Sequence, residues 1–204
     1  MLHIIDYGVG NIQAFLNVFK RLGIPCKRST SPLELSEATH LILPGVGSFD
    51  HAMTEFSKSG LRDKVEELVQ VRKIPVLGIC VGMQMLATSS EEGELPGLNW
   101  IPGRVRSFRS CPQSEALPMP HMGWNEVVLS KLSPLFNEFQ EEPEFYFLHS
   151  YFFDCDDEEN GLAKADYGLK FDCIVNSGNV YGIQCHPEKS HQFGETILKN
   201  FAEL

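Results

Sequence analysis

The most reactive-looking stretch of the chain is Gly78-Ile79-Cys80-Val81-Gly82, a thiol with glycine two residues away on each side. It follows an apolar run and precedes helix-favouring residues. Small flanks permit a tight, strained turn that lifts a nucleophile off the carboxyl edge of a parallel sheet. The same turn aims the next backbone N–H, that of Val81, at an oxyanion. A helix N-terminus behind the turn favours thiolate, which matters because an ordinary thiol, with a pKa of roughly 8.5, is only slightly ionised at neutral pH. A buried cysteine in an unreactive strand-to-helix turn fits the pattern too.

The best base is His186. Gly182-Ile183-Gln184-Cys185 reads as a strand, so Gln184 and His186 share one face while Ile183 and Cys185 point to the other. Pro187 biases His186 toward an extended backbone. Glu188 can then lie on the same side and accept the second imidazole N–H, fixing tautomer and orientation. An exposed His-x-Glu pair with no duty is the common alternative, and sequence alone does not bring His186 to Cys80. Pro44-Gly45-Val46-Gly47 ends another strand, and its N–H groups could complete an oxyanion hole if it is more than a plain turn. Gly8-Val9-Gly10 is no dinucleotide fingerprint, because Gln13 stands where the third glycine belongs.

These candidates need a scaffold, and the chain supplies one. Leu2–Asp6, His40–Leu43 and Ile74–Ile79 are short apolar runs that read as buried strands. Between them Ile12, Phe15, Leu16, Phe19 and Leu22 recur at helical intervals up to the stop at Gly23, and Leu61, Val65, Leu68 and Val69 mark a second helix face. Residues 83–88 favour helix. The second half carries β-prone runs at Arg104–Phe108, Glu126–Leu129, Phe145–Phe153, Cys173–Asn176 and Val180–Cys185, with Ser177-Gly178-Asn179 as a hairpin turn, and closes on an amphipathic helix through Phe193, Ile197, Leu198 and Phe201. The expectation is a single α/β domain over residues 1–204. It has a mostly parallel central sheet with helices on both faces and antiparallel strands added by the C-terminal half.

Composition narrows the function classes. With 17 Lys+Arg against 27 Asp+Glu the net charge is −10, which disfavours nucleic acid and anionic membranes as partners. No apolar run reaches the ~18 residues of a membrane span. The start of the chain lacks the pattern of a signal peptide, and the six scattered cysteines suit a reducing cytoplasm. They form no zinc-finger spacing, so neither a structural metal nor any other cofactor is called for. Arg104, Arg106 and Arg109 read as a solvated face, Asp154 to Glu159 as an acidic loop, and Met83 and Met85 as core. His3, His40, His51 and His191 read as having no partners.

Together, the Pro44–Gly47, Gly78–Gln84 and Gly182–Glu188 segments resemble the class I, triad-type glutamine amidotransferases along nearly the whole chain. Asp6–Asn11, Pro120-His121-Met122-Gly123-Trp124-Asn125 and Phe145–Tyr151 narrow the resemblance to the glutaminase subunits of imidazole glycerol phosphate synthases. Two positions depart from that pattern: Val81 often stands as leucine, and Cys185 as phenylalanine. The resemblance implies Cys80, His186 and Glu188 as catalytic residues and Val81 with the Gly45-Val46-Gly47 segment as oxyanion donors. It implies Gln84, Gly45–Gly47 and Ser150 as binders of L-glutamine. It also implies a (β/α)8-barrel cyclase partner in a heterodimer, with Asn11 and Lys189 toward the interface and ammonia passed directly across it. Two other readings stay open: a paralogue feeding ammonia to a sugar amidotransferase of surface-polysaccharide synthesis, and a non-catalytic binding subunit.

Overall fold

The structure is a computed structural model that describes residues 1–204. Strand β1 (Leu2–Ile5) leads into α1 (Ile12–Arg21), which buries Phe15, Val18 and Phe19; Gly23 follows with φ +69°, the left-handed stop its position calls for. Next come β2 (Cys26–Ser29), β3 (His40–Gly45) and α2 (Phe49–Lys58), then α3 (Arg62–Glu66), which runs on through a wider turn to Val71. Leu61, Val65, Leu68 and Val69 are all buried along it. Strand β4 (Val76–Cys80) follows, then α4 (Val81–Gln84).

The second half supplies β5 (Ser89–Ser90), β6 (Gly103–Ser107), β7 (His121–Glu126), β8 (Val128–Leu129), β9 (Glu144–His149) and β10 (Tyr151–Cys155). Then come β11 (Gly161–Asp166), β12 (Lys170–Ser177), β13 (Val180–Ile183) and α5 (His191–Ala202), the last burying Ile197, Leu198 and Phe201. The main sheet runs β2-β1-β3-β4-β13-β12-β10-β6-β5, with β11 paired to β12 and β8 to β11. No helix is long and apolar enough to cross a membrane.

The expected α/β architecture is present, with three corrections in detail. First, β13 is not an antiparallel addition. The β12–β13 hairpin turns the chain so that β13 pairs parallel to β4, and Ile183 lies opposite Ile79. Second, β7 and β9 form a separate two-stranded sheet, in which His121 faces His149. Third, the helix expected over residues 83–88 stops after one turn. The carbonyls of Met85, Leu86 and Ala87 accept instead from the N–H groups of Leu98, Trp100 and Asn99 at 2.8–3.0 Å, so the ladder has no continuation.

The first correction matters most for function. β3, β4 and β13 run in one direction, and their carboxyl ends lie side by side. Gly45 is directly opposite Cys80 on one flank, and the chain leaving Ile183 passes on the other. The crevice outside the carboxyl ends of parallel strands is where α/β sheets hold ligands.

Candidate active site

Cys80 sits between β4 and α4 with φ +55° and ψ −114°, a backbone region that L residues avoid. Such a conformation costs of order 1–3 kcal/mol and persists only where the surroundings over-determine it. They do so here by contact: a Cβ at Gly82 would come within 1.9 Å of the Leu43 carbonyl oxygen, and one at Gly78 within 2.6 Å of the Gly82 oxygen. Only glycine lets the turn fold back so tightly. The helix behind it is a single turn, so the dipole behind the thiol is short.

His186 follows β13. Its backbone N–H donates to the Tyr146 carbonyl at 2.8 Å, and its own carbonyl accepts from the buried Ser190 hydroxyl at 2.7 Å. The ring Nδ1–H donates to Glu188 Oε1 at 2.9 Å, with both side chains buried. Burial pulls the imidazole pKa down. The Cys80 sulfur beside the ring and the Glu188 carboxylate outweigh it, and the group is pushed up to about 9. His186 is therefore an imidazolium at neutral pH.

Both residues line a cavity of about 310 Å³, together with Val81, Val46, Gly47, Gln84, Ser150 and Lys189. Glu188 stands behind His186, and Gly45 is buried beside Cys80. Asn11 is not in the cavity wall; it caps α1, accepting the Ala14 N–H at 3.3 Å. Lys189 lies over the Tyr146 ring, 5.5 Å from its centroid, at the cavity rim. Gln84 is buried, and its amide nitrogen donates to the Tyr151 carbonyl at 3.2 Å and to Gln184 Oε1 at 3.1 Å. Only its carbonyl oxygen is left for a ligand. Cys185 lies past the end of β13 rather than within the expected strand; it is buried, and burial raises its thiol well above the usual range.

Five wall residues carry no role in the sequence reading: Glu92, Pro120, Leu148, His149 and Tyr151. Burial raises the Glu92 carboxyl, whose Oε2 accepts the Phe49 N–H at 2.8 Å. His149 belongs to a chain of neutral groups whose directions are all determined. Its Nδ1–H donates to the Tyr151 carbonyl at 2.7 Å, so Nε2 must accept, and it accepts from His121 Nδ1–H at 2.9 Å. His121 Nε2 then accepts from the Asn125 amide at 3.2 Å. The two histidines face each other only because of the β7–β9 register, and no local pattern announces that.

Other expectations change as well. His3 meets the Ser29 hydroxyl at 2.7 Å, His40 meets Thr39 at 3.0 Å, and His191 stacks on Trp124 at 5.0 Å, so these three do have partners. Arg106 pairs with Asp154 at 3.1 Å, which ties the basic strand face to the first residue of the acidic stretch. Met83 and Met85 are fully buried, as read.

The family described as "Glutamine amidotransferase class-I" matches residues 3–204. The chain is 58% identical to the imidazole glycerol phosphate synthase subunit HisH of Bdellovibrio bacteriovorus and 48% identical to that of Leptospira interrogans, each over the full length of both proteins. Among solved structures, a glutamine amidotransferase superposes with TM-score 0.75 at 20% identity, covering 99% of this chain and 97% of that one. The structure of PurLQS from Thermotoga maritima does so with TM-score 0.73 at 16% identity, with the same coverage; these two share the fold. The full-length match to the family and the identity to the HisH subunits lead to one assignment: the chain belongs to the class-I glutamine amidotransferase family, and stands within it among the glutaminase subunits of imidazole glycerol phosphate synthases.

Proposed function

We propose that this chain hydrolyses L-glutamine to glutamate and ammonia with Cys80, His186 and Glu188, and delivers the ammonia to a (β/α)8-barrel cyclase subunit that makes imidazole glycerol phosphate and an aminoimidazole carboxamide ribotide. The observation that carries the reading is the strained Cys80 sharing one cavity with a buried His186–Glu188 pair. The Cys80 thiolate attacks the carboxamide carbon of glutamine. Its C=O π electrons move to oxygen, and N–H groups of Val81 and the Val46–Gly47 segment hold the oxyanion; one such donor is worth ~3–4 kcal/mol. As the C–N bond breaks, the His186 imidazolium gives its proton to the departing nitrogen, releasing ammonia and leaving a glutamyl thioester. Neutral His186 then takes a proton from water, whose oxygen attacks the thioester and expels the Cys80 thiolate. Glu188 keeps Nδ1 protonated throughout and so keeps Nε2 toward the sulfur. The free Gln84 carbonyl oxygen suits the α-ammonium of the substrate, and Ser150 lies on the same wall.

A docking face adjoins the cavity. On the β7–β9 sheet Met122 is 65% and Trp124 46% exposed; Met122 pairs with Leu148, which lines the cavity, and Trp124 pairs with Tyr146, under Lys189. Exposed apolar side chains beside a site that must pass ammonia on support a partner seated there. The test is glutamate release by the purified chain, alone and with the cyclase and its ribonucleotide, beside Cys80→Ala. The expected result is low activity alone, a large rise with the liganded partner, and a loss of about 10⁴-fold or more in Cys80→Ala. No rise with a competent cyclase turns the assignment to a polysaccharide-pathway partner, and activity surviving in Cys80→Ala removes the catalytic reading.

A further inference from the structure

Gln184 is fully buried between the cavity and β12, and no step of the reaction above uses it. Its amide nitrogen lies 3.8 Å from Cys80 Sγ, within the range of an N–H···S hydrogen bond. Which end of an amide faces which neighbour follows from the partners, and here they leave one solution. The Tyr151 carbonyl can only accept, so the Gln84 atom 3.2 Å from it must be nitrogen. That NH2 also reaches the Gln184 side chain at 3.1 Å, so the Gln184 atom there must be oxygen. The Gln184 NH2 is thereby turned toward the sulfur. The Tyr151 carbonyl is itself held from the other side by His149 Nδ1–H.

We propose that Gln184 donates a hydrogen bond to the Cys80 sulfur that favours its thiolate, and that Gln84 is the positioning residue that locks Gln184 in that orientation. The inference rests on Cys80 as the nucleophile and adds a donor that the triad does not include. The short α4 leaves room for it, since a single turn supplies little dipole to hold negative charge. Of the ionisable groups around the sulfur, Tyr7 and Cys185 stay protonated because burial raises both, and Glu188 reaches Cys80 only through His186. Glu92 accepts the Phe49 N–H, and Lys189 lies over the Tyr146 ring. His186 and the Gln184 amide are therefore the groups that answer the charge on sulfur directly. A hydrogen bond to an ionised group shifts an equilibrium by about tenfold or more.

The decisive measurement is the pH dependence of Cys80 alkylation by iodoacetamide in the chain without glutamine, read by mass spectrometry of the Cys80 peptide, for wild type, Gln184→Met and Gln84→Met. Gln184→Met keeps length and volume but removes the donor. Its alkylation midpoint should rise by about one pH unit, roughly tenfold less thiolate on the acid side. Gln84→Met should shift it in the same direction by less, because Gln184 is then free to turn but keeps its N–H. A merely structural role would lower the melting temperature and leave the midpoint in place. An unchanged midpoint in folded Gln184→Met overturns the relay. A raised KM for glutamine in Gln84→Met with an unmoved midpoint overturns the Gln84 part and makes it a substrate contact alone. Either result with Cys80→Ala still inactive leaves the glutaminase reading standing, whereas an active Cys80→Ala fails that reading itself.

Discussion

His186 and His149 line the same cavity and both are buried, yet at neutral pH the first is charged and the second neutral. Burial acts on both in the same direction, disfavouring the imidazolium. What differs is the company. His186 has a carboxylate on one nitrogen and a sulfur beside the other, and is pushed up to about 9. His149 has a carbonyl and a second neutral imidazole, and burial brings it down to about 3, with His121 brought to about 4. A buried histidine thus takes its charge from its partners. In this cavity the proposed reaction uses one histidine to move a proton, while the other holds the Tyr151 carbonyl.

Breaking the charged side has the largest expected effect. Glu188→Gln keeps the shape but removes the charge that holds Nδ1–H, and should cut partner-stimulated kcat/KM by about 10²–10⁴-fold. The alkaline limb of its pH profile should also fall from about 9 toward 6.5, since His186 loses a group that raises its pKa. An unmoved limb would mean that Glu188 does not set the charge of His186. Breaking the neutral side should act differently. His149→Phe strips the Tyr151 carbonyl of one donor and leaves His121 Nδ1–H without its acceptor, at a cost of about 2–3 kcal/mol in denaturant unfolding. KM for glutamine should rise as the Ser150–Tyr151 wall loosens, while the alkaline limb set by His186 stays where it is. A shifted alkaline limb would place His149 in the proton chemistry.

The same contrast explains what could be read from the chain. The strand–turn–nucleophile and His-x-Glu signals are local: the glycine flanks of Cys80 fix a backbone turn within five residues, and His186 and Glu188 are two positions apart. Alternating strands and helices through β4 are likewise local periodicity. The same local periodicity is present in α2, where Phe49, Ala52, Met53 and Phe56 are buried at helical spacing. The neutral chain depends on strand register between β7 and β9, and the Gln84–Gln184 contact on β13 joining β4 in parallel. No residue near Gln84 in sequence reports that. The helix expected over residues 83–88 failed for a related reason. Its carbonyls are claimed by Leu98–Trp100, a loop ten or more positions away whose tertiary contacts override propensity.

The smallest effect to look for is in stability against pH, where the two histidine systems should pull in opposite directions. Unfolded, each imidazole titrates near roughly 6.5. His149 and His121 titrate at about 3 and about 4 when folded, so added acid protonates the unfolded chain first. Their contribution to stability is lost as the pH falls from about 6.5 toward 4. His186 is the reverse: its folded form keeps its proton to about 9, so its contribution is complete below 6.5 and is lost as the pH rises through 9. His149→Phe starts less stable than wild type but lacks the acid penalty of that imidazole. The gap between the two should therefore narrow by about 2 kcal/mol between pH 7 and pH 5, and stay constant from pH 7 to pH 9. His186→Asn should show the mirror image, with its gap to wild type constant toward acid and closing toward pH 9 and above. Urea unfolding at pH 5, 7 and 9 for the three proteins reads both slopes, and parallel curves would mean that the two histidine systems do not differ in charge.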